Sequence, residues 1–139
     1  MTHLLEQVTP GTEIARDSYP PITRHALAMY AAASGDSNPM HVDIDVAKGA
    51  GLPDVFAHGM LVMAYMGRTL QGIAGVRAIC SFGTRFLAIT WIGNVITCTA
   101  TLTGVEETPS GRVARIALEA RDQNGERKLK GDATVALHT

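Results

Sequence analysis

The chain has 139 residues, 46% hydrophobic and 18% charged, with a formal net charge of −1. That length and balance suit one soluble domain with a single core. The weak net charge gives no electrostatic basis for binding nucleic acid, and apolar runs broken by Gly, Arg or His are too short to span a membrane.

No leader pattern opens the sequence, so a cytoplasmic location is expected. Cys80 and Cys98 sit in strand-like segments and are expected as buried free thiols rather than a disulfide. Residues 11–22 read as an extended arm, because Pro20-Pro21 bars a helix. Thr23 is suited to cap a helix over 24–33, with Leu27, Tyr30 and Ala31 on one face and Gly35 as its stop. A short helix started by an Asp cap is expected over 45–50, and Pro53-Asp54 makes a turn. From Gly59 to about Leu70 the residues are apolar nearly all round, the mark of a buried helix.

After Gly75 the periodicity changes to two. Ile96, Cys98, Ala100 and Leu102 alternate with threonines, and Ala114, Ile116, Leu118 and Ala120 repeat the pattern. Pro109-Ser110-Gly111 and Asn124-Gly125 fall where hairpins need turns, and 79–87 and 128–137 complete the strands. The fold class is therefore α+β: one buried helix followed by an antiparallel meander that curls around it. An edge strand left over would favour a second copy.

The break after the first helix carries chemistry. Ser34-Gly35-Asp36-Ser37-Asn38-Pro39-Met40-His41 presents a carboxylate, an amide and an imidazole on a turn stiffened by Pro39. Asp36 and His41 can hold a water between an acceptor and a donor. By themselves, however, they fit a capped turn better than a catalytic pair. Gly59 opens the apolar helix, where the first amides lack partners and the dipole is positive. Its N–H can meet a developing oxyanion, or Gly59 can simply ease the chain into the helix; the two readings balance.

Metal binding by Asp36, His41, Asp43, Asp45 and His58 is not expected, since no established ligand spacing is present. No nucleophile motif stands out, and no cofactor is expected. His3, His25 and His138 read as solvated, and Arg85 reads more readily as a surface residue than as a phosphate contact.

Tyr30-Ala-Ala-Ala-Ser-Gly-Asp36-Ser-Asn38-Pro39-Met-His41-Val-Asp43 closely resembles the signature of the MaoC-like, R-specific enoyl-CoA hydratases and dehydratases. Ala57-His58-Gly59-Met60 and Arg85-Phe86-Leu87-Ala88 resemble two further landmarks of that family. The resemblance runs from about Tyr19 to the C-terminus. It implies a single hot-dog domain over 1–139, a curled sheet around a central helix, with sites near a subunit interface. It further implies that Asp36 and His41 activate water, that the Gly59 amide binds the thioester oxygen, and that Asn38, Ser34 and Pro39 support the loop. His58, Met60, Met63, Arg85 and Phe86 are candidate substrate contacts.

One departure stands out. Where the family commonly continues Pro-Val-x-Pro-Gly-Asp, this chain has Ile89-Thr90-Trp91-Ile92-Gly93-Asn94, so the acyl-chain preference is open. The expected activity is reversible hydration of a trans-2-enoyl thioester of CoA or acyl-carrier protein, by a homodimer or a heterodimer with another hot-dog subunit. The alternatives are the catalytic half of a heteromeric dehydratase of fatty-acid synthesis and, further off, a hot-dog thioesterase.

Overall fold

The computed structural model describes residues 2–137. The extended arm contains an edge strand, β1 (Glu13–Ser18), followed by helix α1 (Arg24–Ser34). Thr23 caps α1 by accepting from the Ala26 N–H at 3.0 Å. Gly35 closes it with φ 78°, a left-handed turn that disfavours any residue with a Cβ. A 3-10 turn at Pro39–His41 leads into the short helix α2 (Ile44–Gly49). Its cap is Asp43, whose carboxylate accepts from the Asp45 and Val46 amides.

Helix α3 (Gly59–Ala74) runs a turn beyond Leu70 and stops at Gly75. Strands β2 (Ile79–Phe86), β3 (Thr97–Thr108), β4 (Gly111–Arg121) and β5 (Arg127–Ala136) follow. All pairings are antiparallel, in the order β1-β3-β4-β5-β2. The sheet is thus not a simple meander. Strands β3 to β5 run as hairpins, whereas β2 pairs with β5 at the far edge and its connection to β3 crosses the sheet.

The alternating residues point where period two places them. Ile96, Cys98, Ala100, Ile116, Leu118 and Ala120 are buried against Val62, Met66 and Leu70 of α3. Each fully buried aliphatic side chain here contributes about 1.5–3 kcal/mol relative to exposure, which makes α3 the axis of the core. Register shifts in β1, β2, β3 and β5 add the bend that lets the sheet curl round it. Gly131 lets β2 close onto β5, since a Cβ there would meet the Gly83 carbonyl at 2.6 Å. A second cluster joins Leu27, Ala47, Val55, Ala57 and Leu61, so α1, α2 and the start of α3 form one body.

The cysteines differ from expectation in one respect: both are free, but only Cys98 is buried and Cys80 is exposed. Cys80 lies on β2, the outer edge strand of the sheet among the described residues. Burial, aided by Asp17, pushes the Cys98 thiol up to about 12, so it stays protonated and inert at neutral pH. His25 is exposed as expected, while His138 and the side chain of His3 lie outside the described residues. Among the described residues, no helix is long and apolar enough to cross a membrane.

Candidate active site

The turn after α1 is held by its own side chains. The Asp36 N–H donates to Ser34 Oγ at 3.2 Å, and the Asn38 N–H donates to Asp36 Oδ1 at 3.3 Å. Asn38 Oδ1 in turn accepts from the Met40 N–H at 3.1 Å, with Pro39 opening the 3-10 turn. These contacts leave the Asp36 side chain exposed and aim His41, only 7% exposed, inward.

His41 Nδ1 lies 2.7 Å from the Phe56 carbonyl. A carbonyl only accepts, so Nδ1 carries a proton, and in the neutral ring the lone pair is on Nε2. His58 Nε2 lies 3.1 Å from the Asp36 carbonyl and donates to it by the same reasoning. The two rings stack at 3.9 Å between centroids, and Tyr30 meets His58 edge-on at 4.8 Å.

His58 is 1% exposed, and among the described residues no hydrogen-bond partner reaches its Nδ1. It precedes α3 at the cap position but makes no side-chain cap. Its side chain serves the Asp36 loop instead, so the first amides of α3 are left without a side-chain acceptor. Gly59 sits at that end. A Cβ there would meet the Phe86 ring at 2.7 Å, so the absence of a side chain lets Phe86 lie directly over the helix start.

Beside Gly59 is an open groove of about 540 Å³, walled by Phe56, Met60, Phe86, Leu87, Ala88 and Ile89. Asp36 and His41 are not in its wall, but they adjoin it through Phe56, whose carbonyl His41 grips. Met60 and Phe86, more than half exposed, sit where the sequence places substrate contacts. The other candidates lie elsewhere. Met63 packs into the central core, Arg85 lines the opposite face of the sheet beside Lys130 and Arg115, and His58 is enclosed. Arg85 and Phe86 are strand neighbours, so their side chains point to opposite faces.

Asp36, His41 and His58 each bring one ligand atom within 4.8 Å of the others, so the trio is also the place where a metal ion would fit. Two ring nitrogens are already spent on carbonyls, which leaves one from each imidazole plus the carboxylate. The sequence offers these three among five candidate ligands without an established spacing, because His58 comes from a different element.

Burial holds His58 below its ordinary value; the Asp36 carbonyl opposes this and His41 adds to it. The unfolded imidazole therefore takes up a proton, near pH 6.5, that the folded one refuses. Stability should fall as pH drops from about 6.5 towards the folded value. Urea midpoints measured between pH 7.5 and 5.5 should show this slope, and His58→Gln should flatten it. An equal slope in both proteins would refute the assignment.

The curled sheet around one helix, with a histidine–carboxylate loop at the helix start, defines a hot-dog protein of the hydratase and dehydratase class. The chain belongs to the MaoC-like domain family, whose model matches residues 6–123. It is 28% identical over 109 residues to 3-hydroxyacyl-thioester dehydratase Z of Mycobacterium tuberculosis, covering 74% of this chain and 72% of that one. It is 33% identical over 88 residues to the (R)-specific enoyl-CoA hydratase of Rhodospirillum rubrum, covering 60% of each. The (R)-hydratase from A. caviae involved in PHA biosynthesis superposes with a TM-score of 0.82, at 24% identity, over 96% of this chain and 99% of that one.

Proposed function

We propose that residues 1–139 act as one MaoC-like unit that reversibly adds water across a trans-2-enoyl thioester to give the (R)-3-hydroxyacyl thioester. The observation that carries this reading is one junction. There the Asp36 carboxylate and a His41 nitrogen with a free lone pair adjoin uncapped helix amides at the mouth of an apolar groove. Asp36 and His41 hold the water. As its oxygen bonds to C3, its proton passes to the pair, the double-bond electrons move towards C2 and the thioester oxygen, and a proton returns to C2. The Gly59 amide and the positive end of α3 stabilise that oxygen as it gains charge. The groove takes the acyl chain. No step calls on a cofactor or a metal.

CoA is the first carrier to test, with acyl-carrier protein second. Met60, Phe86, Leu87 and Ile89 leave the groove mouth apolar and exposed, which suits a second hot-dog subunit, identical or not, in the cytoplasm. If the partner is not identical, this chain is the catalytic half. The test is loss of enoyl absorbance with short trans-2-enoyl-CoAs, together with chiral analysis of the product and the mass of the active species in solution. Hydration to the (R) product supports the reading. Release of free thiol without hydration would replace it with a thioesterase.

A further inference from the structure

The basic run Arg127-Lys128-Leu129-Lys130 has the look of a solvated patch, yet Lys128 is 1% exposed. Its ammonium meets three oxygens: the Ile89 carbonyl at 2.9 Å, Asp122 Oδ2 at 3.4 Å, and the Glu126 carboxylate. Asp122 is itself buried and ties the β4–β5 turn by accepting from the Asn124 and Glu126 amides at 2.9 and 3.0 Å. The Lys128 carbonyl also accepts from the Leu87 N–H at 2.9 Å and the Ala88 N–H at 3.3 Å.

One residue thus grips Leu87, Ala88 and Ile89, three consecutive members of the groove wall. Beyond them the Thr90 carbonyl accepts from the Ala57 N–H at 2.8 Å, two residues before Gly59. This stretch belongs to the crossing between β2 and β3, so it has no strand ladder to fix it. A buried charge is costly unless its hydrogen bonds are met. Here the carboxylates of the hairpin turn balance the charge and one carbonyl of the wall takes the remaining contact, so the ammonium is fully hydrogen-bonded only with the wall in place.

We propose that Lys128 is a positioning residue for substrate selection: it fixes the Leu87–Ile89 wall against which the acyl chain lies. The inference deepens the enoyl-thioester reading and rests on it. Lys128 touches no reacting atom. Replacing its side chain frees the Ile89 end of the wall, while the backbone carbonyl still holds Leu87 and Ala88 and the water-holding pair and Gly59 stay in place.

The experiment compares wild type with Lys128→Met and with Asp122→Asn/Lys128→Met, which removes the buried pair together should the single change prevent folding. Lys130→Met, an exposed neighbour, is the control. Amide exchange in the peptide covering 86–90 should speed up about tenfold, while exchange in α3 and β3 stays unchanged. KM for an eight-carbon enoyl-CoA should rise about fivefold or more, with kcat and the four-carbon KM changed less than about twofold. A merely structural loss would lower kcat for all chain lengths alike and leave the KM ratio untouched. That result, or unchanged exchange at 86–90 in a folded variant, overturns the proposal. An inactive wild type would sink the hydratase reading, while exchange would still decide the tether.

Discussion

Asp36→Asn should lower kcat for enoyl-thioester hydration by about 10²–10⁴ and leave the fold intact. The Asp36 side chain is exposed, and its one contact within the turn, an acceptor for the Asn38 N–H, survives in asparagine. The expected change in stability is therefore within about 0.5 kcal/mol. His41→Ala should cost as much activity but is the less clean experiment. It empties a buried site and leaves the Phe56 carbonyl without its donor, which costs about 1–3 kcal/mol. Rates for both variants belong beside their thermal unfolding curves. An Asp36→Asn protein with near wild-type turnover would remove the acid from the mechanism.

Gly59→Ala should separate stability from activity in the opposite direction. Alanine favours a helix over glycine by about 1 kcal/mol, so the melting temperature should hold or rise. The new methyl meets the Phe86 ring at 2.7 Å, and that side chain is exposed enough to swing away at little cost. The ring then moves out over the groove, and the methyl itself crowds the approach to the helix amides. A loss of about 10–100-fold in kcat/KM is expected, below the full effect of deleting an oxyanion donor. Adding Phe86→Ala should recover part of it by restoring room. Unchanged kcat/KM in Gly59→Ala would mean that the thioester oxygen binds elsewhere.

The sequence is most legible where local rules act alone. Thr23, Gly35 and the alternating 96–102 and 114–120 segments take their structure from neighbours a few residues away, and each is found as its pattern demands. The pairing of β2 with β5 is a contact across some fifty residues, for which no short-range signal exists. The site divides in the same way. Asp36, Asn38 and His41 share one turn and can be read as a unit. The hydrogen bond from His58 to the Asp36 carbonyl joins two elements, and the candidate substrate contact turns out to be an enclosed support. Lys128 was hidden for a different reason: composition marks lysine as a surface residue, and only the crossing loop and the hairpin turn bury it.

The strand order also sets a timetable for synthesis. Strand β2 leaves the ribosome ahead of β3 and β4, yet among the described residues its strand partner is β5, the last of the five. Until residue 127 and its successors emerge, α3 has an incomplete sheet to rest on and β2 has no strand to pair with. Long-range pairing of this kind delays closure and leaves apolar surface open to aggregation. Nascent chains stalled before Arg127 should stay sensitive to protease, and protection should appear in one step once β5 is free. The groove wall waits for the same event, because Leu87 and Ala88 hang from the carbonyl of Lys128. Folding and assembly of the site are then a single act, completed by β5.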